Sequence, residues 1–217
     1  VWTVVVGGGS GQRYGRPKQY DEVAGRRIID HSVAVARAVS DGVVVVVPTA
    51  DAEREGAVAG GATRSESVRN GLAAVPADAA IVCVHDAARP LATPELYARV
   101  IAAVAAGADG AIPGVPVTDT IKMVDELVDG GGTVVGTPDR ARLVAVQTPQ
   151  AFRAEMLRAA HAAGGEGTDD AAIVEAEGGR VVIVPGEAEN LKVTTPSDLD
   201  RVAEVLRARA GAGEESA

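Results

Sequence analysis

Thr3-Val4-Val5-Val6-Gly7-Gly8-Gly9-Ser10-Gly11-Gln12-Arg13-Tyr14-Gly15-Arg16-Pro17-Lys18 reads as a strand, Thr3–Val6, running straight into a glycine-rich loop that carries the cations Arg13 and Lys18. In an open α/β sheet, ligands bind beyond the carboxyl ends of the strands, and the first βα turn is a common seat for them. Glycines in such a turn let backbone N–H groups approach phosphate oxygens with no Cβ in the way. A tight turn alone would account for the glycines. Arg13 and the Pro17-Lys18 pair favour a bound anion instead. The loop is not a Walker loop, because Gly-Lys-Ser/Thr is missing, and no frame of its glycines fits the dinucleotide fingerprint.

Outward from this loop, short apolar runs alternate with amphipathic stretches. Strands are expected at Val43–Val47, Ala80–Val84, Gly110–Ile112 and Val181–Val184, with helices at Arg27–Val39, Ser65–Ala74 and Pro94–Ala106. Such alternation means βαβ units and a mostly parallel sheet flanked by helices, an α/β Rossmann-like fold. Thr93-Pro94 and Thr195-Pro196 each place a hydroxyl cap before a proline at the start of a helix. The last helix, Ser197–Ala210, is expected to fray into a disordered tail at 211–217. One domain, 1–210, accounts for the length, since neither an internal repeat nor a dividing linker is present. Residues 115–143 break the alternation. They read as two extended pieces, Thr120–Val124 and Thr133–Val135, joined by Asp129-Gly130-Gly131-Gly132, a protruding hairpin arm. An isolated ribbon is marginal in water, so the arm is expected to lean on something, a partner subunit being one candidate.

Composition agrees with this class. Of 217 residues, 47% are hydrophobic but only 2% aromatic, so the core must be built from Val, Ala, Leu and Ile, which suit a sheet buried on both faces. The formal charge of −9 speaks against a general nucleic-acid binder, though not against a nucleotide substrate held by a few cations. Cys83, the single cysteine, lies in an apolar run and reads as a small buried hydrophobe. With no signal peptide or membrane span in view, the cytoplasm is the expected compartment.

Three further motifs carry candidate chemistry. His85-Asp86-Ala87-Ala88-Arg89-Pro90 follows a buried strand: Asp86 is suited to a divalent cation or a substrate hydroxyl, and Arg89 to a phosphate or to Asp86 itself. His85 reads as structural. Gly60-Gly61-Ala62-Thr63-Arg64-Ser65-Glu66-Ser67 reads as a capped helix start, in which Gly61 and Ser67 are also placed to read the edge of a base. The third is a late group: Gln147-Thr148-Pro149-Gln150, Gly167-Thr168-Asp169-Asp170 and Asn190-Leu191-Lys192-Val193-Thr194. Singly these look like caps and turns. Lys192, flanked by apolar residues in an apparent strand, asks for an anion.

Taken together, these residues resemble the 2-C-methyl-D-erythritol 4-phosphate cytidylyltransferase family, nearly end to end. Gly9-x-Gly11-x-Arg13, Pro17-Lys18-Gln19, Glu66-Ser67-Val68, His85-Asp86-Ala87-Ala88-Arg89-Pro90, Asp119-Thr120-Ile121-Lys122, Thr148-Pro149-Gln150, Thr168-Asp169 and Asn190-Leu191-Lys192-Val193-Thr194 occur in family order. The resemblance implies transfer of CMP from CTP to a small polyol phosphate, with Mg²⁺ as the cofactor. It implies catalytic roles for Arg13, Lys18 and Lys192. Nucleotide binding would fall to Gly7, Gly8, Gly9, Gly11, Gly61, Ser67 and Asp86, with Asp86 also the metal ligand. Arg89, Thr148 and Thr168 would hold the polyol phosphate, and Thr120 and Arg140 would reach it from the arm of a partner in a homodimer. Some positions depart from the family pattern: Pro-Ala-Ala-Gly is more usual than Val6-Gly7-Gly8-Gly9, the stretch from Arg13 to Lys18 is short, and Glu189 stands where Asp is frequent. The nearest alternative is ribitol 5-phosphate cytidylyltransferase, against which Asp119-Thr120-Ile121-Lys122 and Pro138-Asp139-Arg140 weigh. A nicotinamide-dependent oxidoreductase lacks its fingerprint here. A non-catalytic nucleotide-binding module would have no evident need of Arg13, Lys18, Asp86 and Lys192 together.

Overall fold

Val4 and Val5 point to opposite faces of one strand, and both are fully buried, as a strand covered by helices on both sides requires. Around them the computed structural model describes residues 1–8, 17–127 and 130–214. The strands are β1 (Trp2–Val6), β2 (Glu22–Val23), β3 (Arg26–Arg27), β4 (Gly42–Val47), β5 (Val58–Ala59), β6 (Ile81–Asp86), β7 (Gly110–Pro116), β8 (Met123–Val124), β9 (Val134–Gly136), β10 (Val144–Val146), β11 (Gln150–Arg153) and β12 (Val181–Pro185). The helices are α1 (Ile28–Val39), α2 (Ala52–Glu55), α3 (Arg64–Ala73), α4 (Pro94–Ala105), α5 (Ala154–Ala162), α6 (Asp170–Ala176) and α7 (Ser197–Glu214).

Strand β1 lies between β4 and β6, parallel to both, and β5 continues the parallel run beyond β4. On the other side β11 runs antiparallel between β6 and β7, and β12 pairs parallel with the far edge of β7. Short β10 follows the same edge of β7 as β11, antiparallel to it. The sheet is therefore mostly parallel, as expected, with one reversed strand inserted. Helices α3, α5 and α6 cover the face that holds Val4, packing Val68, Leu72, Leu157 and Ile173 over Val84 and Phe152. Helices α1 and α4 cover the other face, setting Ile29, Val33, Leu96 and Val100 against Val5 and Cys83. Cys83 is buried and free.

Local signals explain the boundaries. Thr93 caps α4 by accepting from Leu96 N at 3.1 Å, with Pro94 in the first turn. Thr195 does not serve α7 in that way: the helix begins at Ser197, and Asp198 accepts from the N–H groups of Thr194 and Thr195 at 2.7 and 2.8 Å. A carboxylate carries charge as well as lone pairs and competes well at a helix N-terminus. Helix α7 also continues past Ala210 to Glu214, further than the expected end, while 215–217 lie outside the described residues. The expected ribbon is present as β8 paired antiparallel with β9. No helix among the described residues is long and apolar enough to cross a membrane.

Candidate active site

The sheet reverses its winding between β1 and β6: β1 connects through α1 to β4 on one side, and β6 through α4 to β7 on the other. A crevice at the strand ends is the consequence. Here it is a cleft of about 360 Å³ bordered by Gly7 and Gly8 after β1, Gly61 after β5, Ser67 on α3 and Asp86 at the end of β6. Ser67 organises one wall of this cleft. Its Oγ accepts from Gly61 N at 3.0 Å and donates to Thr63 O at 2.9 Å. A Cβ on Gly8 would stand 3.1 Å from that same Oγ, so glycine permits the close approach of the β1 exit to α3. Thr63 caps α3 on Glu66 N, and Glu66 reaches back to Ala62 N at 2.7 Å. The capping reading of this motif is correct, and Gly61 and Ser67 both border the cleft.

Asp86 divides this cleft from a second lobe of about 270 Å³, which Arg89, Thr148, Gln150, Thr168 and Asp169 help to line. Arg64, Asp86 and Lys192 border both lobes. One Asp86 oxygen meets Lys192 Nζ at 2.5 Å and the other meets Arg64 at 3.4 Å. Burial by itself would raise the Asp86 carboxyl, yet Arg64, Lys192 and Arg89 together hold it well below the usual carboxylate range. Arg64 was not singled out from sequence. Its guanidinium also pairs with fully buried Asp170 at 2.8 Å, and Asp170 accepts from His161 Nε2 at 3.0 Å. The signal that could have found Arg64 is the position of Asp170, far along the chain.

Thr148 sits beneath Asp86 rather than in open solvent. Its Oγ1 accepts from Asp86 N at 3.0 Å and lies 3.0 Å from His85 Nδ1. Arg89 O can only accept, so the neutral ring carries its proton on Nε2 and donates to that oxygen at 3.2 Å, which leaves Nδ1 to accept the Thr148 hydroxyl proton. Burial pushes His85 down to about 4, so the ring is a neutral structural strut, as expected from sequence.

Two cations sit differently from the sequence reading. Lys192 lies on an irregular segment, 186–196, not on a strand. Its neighbour Val193 bonds the exit of β6 through Val193 N to Ala88 O at 2.8 Å. Arg89 spends its two terminal nitrogens on Asn190 O at 2.7 Å and Val146 O at 3.2 Å, and so ties two segments together beside the second lobe. Lys18 donates to Val193 O at 2.5 Å, which brings it to the Lys192 segment. Thr168 is exposed at the rim of the second lobe. Thr120 and Arg140 are not at either lobe: both lie on the arm, where Arg140 donates to Thr118 O at 2.7 Å. Gly9, Gly11 and Arg13 lie outside the described residues.

Among the described residues, no three Asp, Glu, His or Cys side chains gather into a metal-holding cluster. Magnesium needs less than that, since it commonly binds through one or two carboxylates and takes its other ligands from phosphates and water. Asp86 fits that part, being ionised and open to both lobes.

A strand exit lined by Gly7 and Gly8, a serine on the cleft wall and a cation-flanked carboxylate between two lobes suit a nucleotide beside a second small anion. A family model described as 2-C-methyl-D-erythritol 4-phosphate cytidylyltransferase matches residues 1–208. The chain belongs to that family. The cytidylyltransferase of that name from Rhodococcus jostii (strain RHA1) is 46% identical over 212 residues, covering 92% of this chain and 92% of the relative. A bifunctional enzyme IspD/IspF from Clavibacter michiganensis subsp. michiganensis is 44% identical over 233 residues. That match takes in 98% of this chain but 56% of the bifunctional protein, so the chain spans little more than half of that relative. The crystal structure of 2-C-methyl-D-erythritol 4-phosphate cytidylyltransferase from Thermus thermophilus superposes with a TM-score of 0.79 at 34% identity, covering 94% of this chain and 98% of that one. Methylerythritol phosphate cytidylyltransferases are nucleotidyltransferases of isoprenoid biosynthesis, and membership favours methylerythritol phosphate over ribitol phosphate as the acceptor.

Proposed function

We propose that the chain carries out its family's reaction, CMP transfer from CTP to methylerythritol phosphate, by holding the two phosphates on either side of Asp86. The observation that supports this is the shared border: Arg64, Asp86 and Lys192 face both lobes at once. The glycine-lined lobe suits CTP, with Gly7, Gly8, Gly61 and Ser67 around the cytosine. The second lobe suits the polyol phosphate, with Thr148 and Thr168 on its walls and Arg89 shaping it.

An oxygen of the acceptor phosphate attacks the α-phosphorus, forming a new P–O bond. The bond from the α-phosphorus to the bridging oxygen breaks, and pyrophosphate leaves with the electron pair. A phosphate monoester is already anionic at neutral pH, so no side chain has to remove a proton. The work is positioning two anions and neutralising charge. Lys18 and Lys192, now parked on Val193 O and Asp86, exchange those contacts for phosphate oxygens, and Arg13 joins them from the loop. Asp86, released from Lys192, would hold a magnesium ion, which supplies further positive charge to the triphosphate. We assign Thr120 and Arg140 to the acceptor site of a second copy in a homodimer. The arm's exposed apolar side chains, Met123, Leu127, Val134 and Val135 among them, support that assignment.

Pyrophosphate release with CTP and Mg²⁺ tests the reading. Methylerythritol phosphate should be turned over strongly and ribitol phosphate poorly. Lys18→Ala and Lys192→Ala should each cost about 10²–10³ in turnover, as the loss of a preorganised donor does. Near-normal turnover in either variant, or a preference for ribitol phosphate, would overturn it.

A further inference from the structure

Lys192 presents a puzzle of order. Its side chain is 40% exposed and its segment has no regular secondary structure, yet Nζ meets Asp86 at 2.5 Å. A lysine side chain carries about 2 kcal/mol of rotamer entropy, so a wandering backbone beneath it would scatter the ammonium. The backbone does not wander, because it is tied down on both sides of Lys192. Val193 N holds Ala88 O on one side, and Asn190 is held on the other.

Most of the second anchor converges on Gln147, which is 6% exposed and itself fastened to the sheet through its N–H to Pro113 O at 2.8 Å. Its side-chain amide pairs with the Glu187 peptide at two points: Nε2 donates to Glu187 O at 2.7 Å, and Oε1 accepts from Glu187 N at 3.1 Å. Asn190 Nδ2 adds a 3.4 Å contact to the same Oε1 and donates to Thr148 O at 2.9 Å. A Cβ on Gly186 would come within 2.8 Å of Oε1, so the segment passes close only because that residue is glycine. Gln147 borders the second lobe, but both atoms of its amide face the segment.

We propose that Gln147, seconded by Asn190, is a positioning residue that fixes the segment at 186–193 so that Lys192 faces Asp86 and the reacting phosphates. This rests on the reading of Lys192 above. Gln147 acts through Lys192 and not on the substrate, so its loss should matter only while Lys192 is present.

The test is a double-mutant cycle in steady-state kinetics with CTP, Mg²⁺ and methylerythritol phosphate. Gln147→Met keeps the bulk and removes the amide. It should lower kcat about ten- to a hundredfold, the scale of an ångström-sized misplacement, with KM for CTP changed only a few-fold. In a Lys192→Ala background, the same substitution should lower kcat by less than about twofold, because coupled residues do not add. Losses that multiply would overturn the proposal and make Gln147 an independent binding or structural residue. So would a Gln147→Met enzyme with wild-type kcat. A Lys192→Ala enzyme that is itself near normal fails the functional reading first, which separates the two failures. Should Gln147→Met not fold by thermal melting, Asn190→Ser leaves the Gln147–Glu187 pair intact and is run through the same cycle with the same criteria.

Discussion

The segment at 186–196 and the arm at 117–143 make an instructive pair. The first has no strand or helix until α7 begins, yet it is laced to distant parts of the chain: Glu187 to Gln147, Asn190 to Arg89, Lys192 to Asp86 and Val193 to Lys18. The second contains a regular ribbon, β8 with β9, but among the described residues its side-chain hydrogen bonds stay within the arm. Lys122 donates to Thr137, Arg140 to Thr118 O, and Asp125 accepts from Thr133 N. Long-range ties in this molecule do not follow secondary structure. A two-stranded ribbon with exposed apolar side chains needs a surface to lie on, whereas an irregular segment tied into a sheet does not.

The sharpest test of that contrast sets a buried charge against an arm charge. Asp170 is fully buried between Arg64 and His161. Asp170→Ala leaves the Arg64 guanidinium only its longer contact to Asp86 and removes the acceptor of His161, and should cost about 3 kcal/mol of stability, the low end of the penalty for breaking a buried pair. Arg140→Ala, which removes a bond local to the arm, should stay within about 0.5 kcal/mol. Urea unfolding of the two variants measures both. A cost below about 1 kcal/mol for Asp170→Ala would mean that water reaches Arg64 once its partner is gone, and the cleft wall would then be softer than described.

An effect of similar size concerns pH. His85 is buried and its folded pKa is lowered to about 4, from an ordinary 6.5. As pH falls from 6.5, the unfolded chain takes up the proton first, so stability falls with pH across this window and levels off below about 4. A shift of this size corresponds to about 3 kcal/mol. Asp86, whose carboxyl is held low, loses its contribution only at more acid pH and does not share the window. His85→Gln should flatten the stability curve between pH 6.5 and 4. An unchanged slope would place the proton uptake elsewhere.

The same contrast explains what could be read from sequence. The strand through Val4 and Val5 was legible, since an unbroken β-branched run marks a strand buried on both faces from local composition alone. Thr93-Pro94 likewise marks α4 with no outside help. Strand β11 was not legible. Gln150-Ala151-Phe152-Arg153 follows a proline and has one bulky apolar side chain, and only pairing with β6 and β7 makes it a buried strand. Lys192 misled for the opposite reason: Leu191 and Val193 around it imitate strand alternation, but this stretch forms no strand, and Val193 N bonds Ala88 O beyond the end of β6. The caps on α3 were readable in Thr63 and Glu66. Arg64 between them was not, because its meaning depends on Asp86 and Asp170. Residue types at the cleft were thus visible in the motifs, while the bonds that tie the motifs together were not.

The smallest expected effect on the folded body belongs to the arm, and it discriminates most between a ribbon that stands alone and one that is covered. Val135 is 61% exposed on β9. Placing a carboxylate there should leave the stability of the body within about 0.5 kcal/mol, as surface changes do. If a second copy covers the arm, as proposed, Val135→Asp buries an unpaired charge in the interface and the mass by light scattering should halve. The melting temperature of the wild type should then rise with protein concentration, and that of the variant should not, because association stabilises by mass action. A wild-type chain that scatters as a monomer at every concentration would remove the partner from the picture. Thr120 and Arg140 would then have to be dropped from the acceptor site as well, since neither borders a lobe of its own cleft.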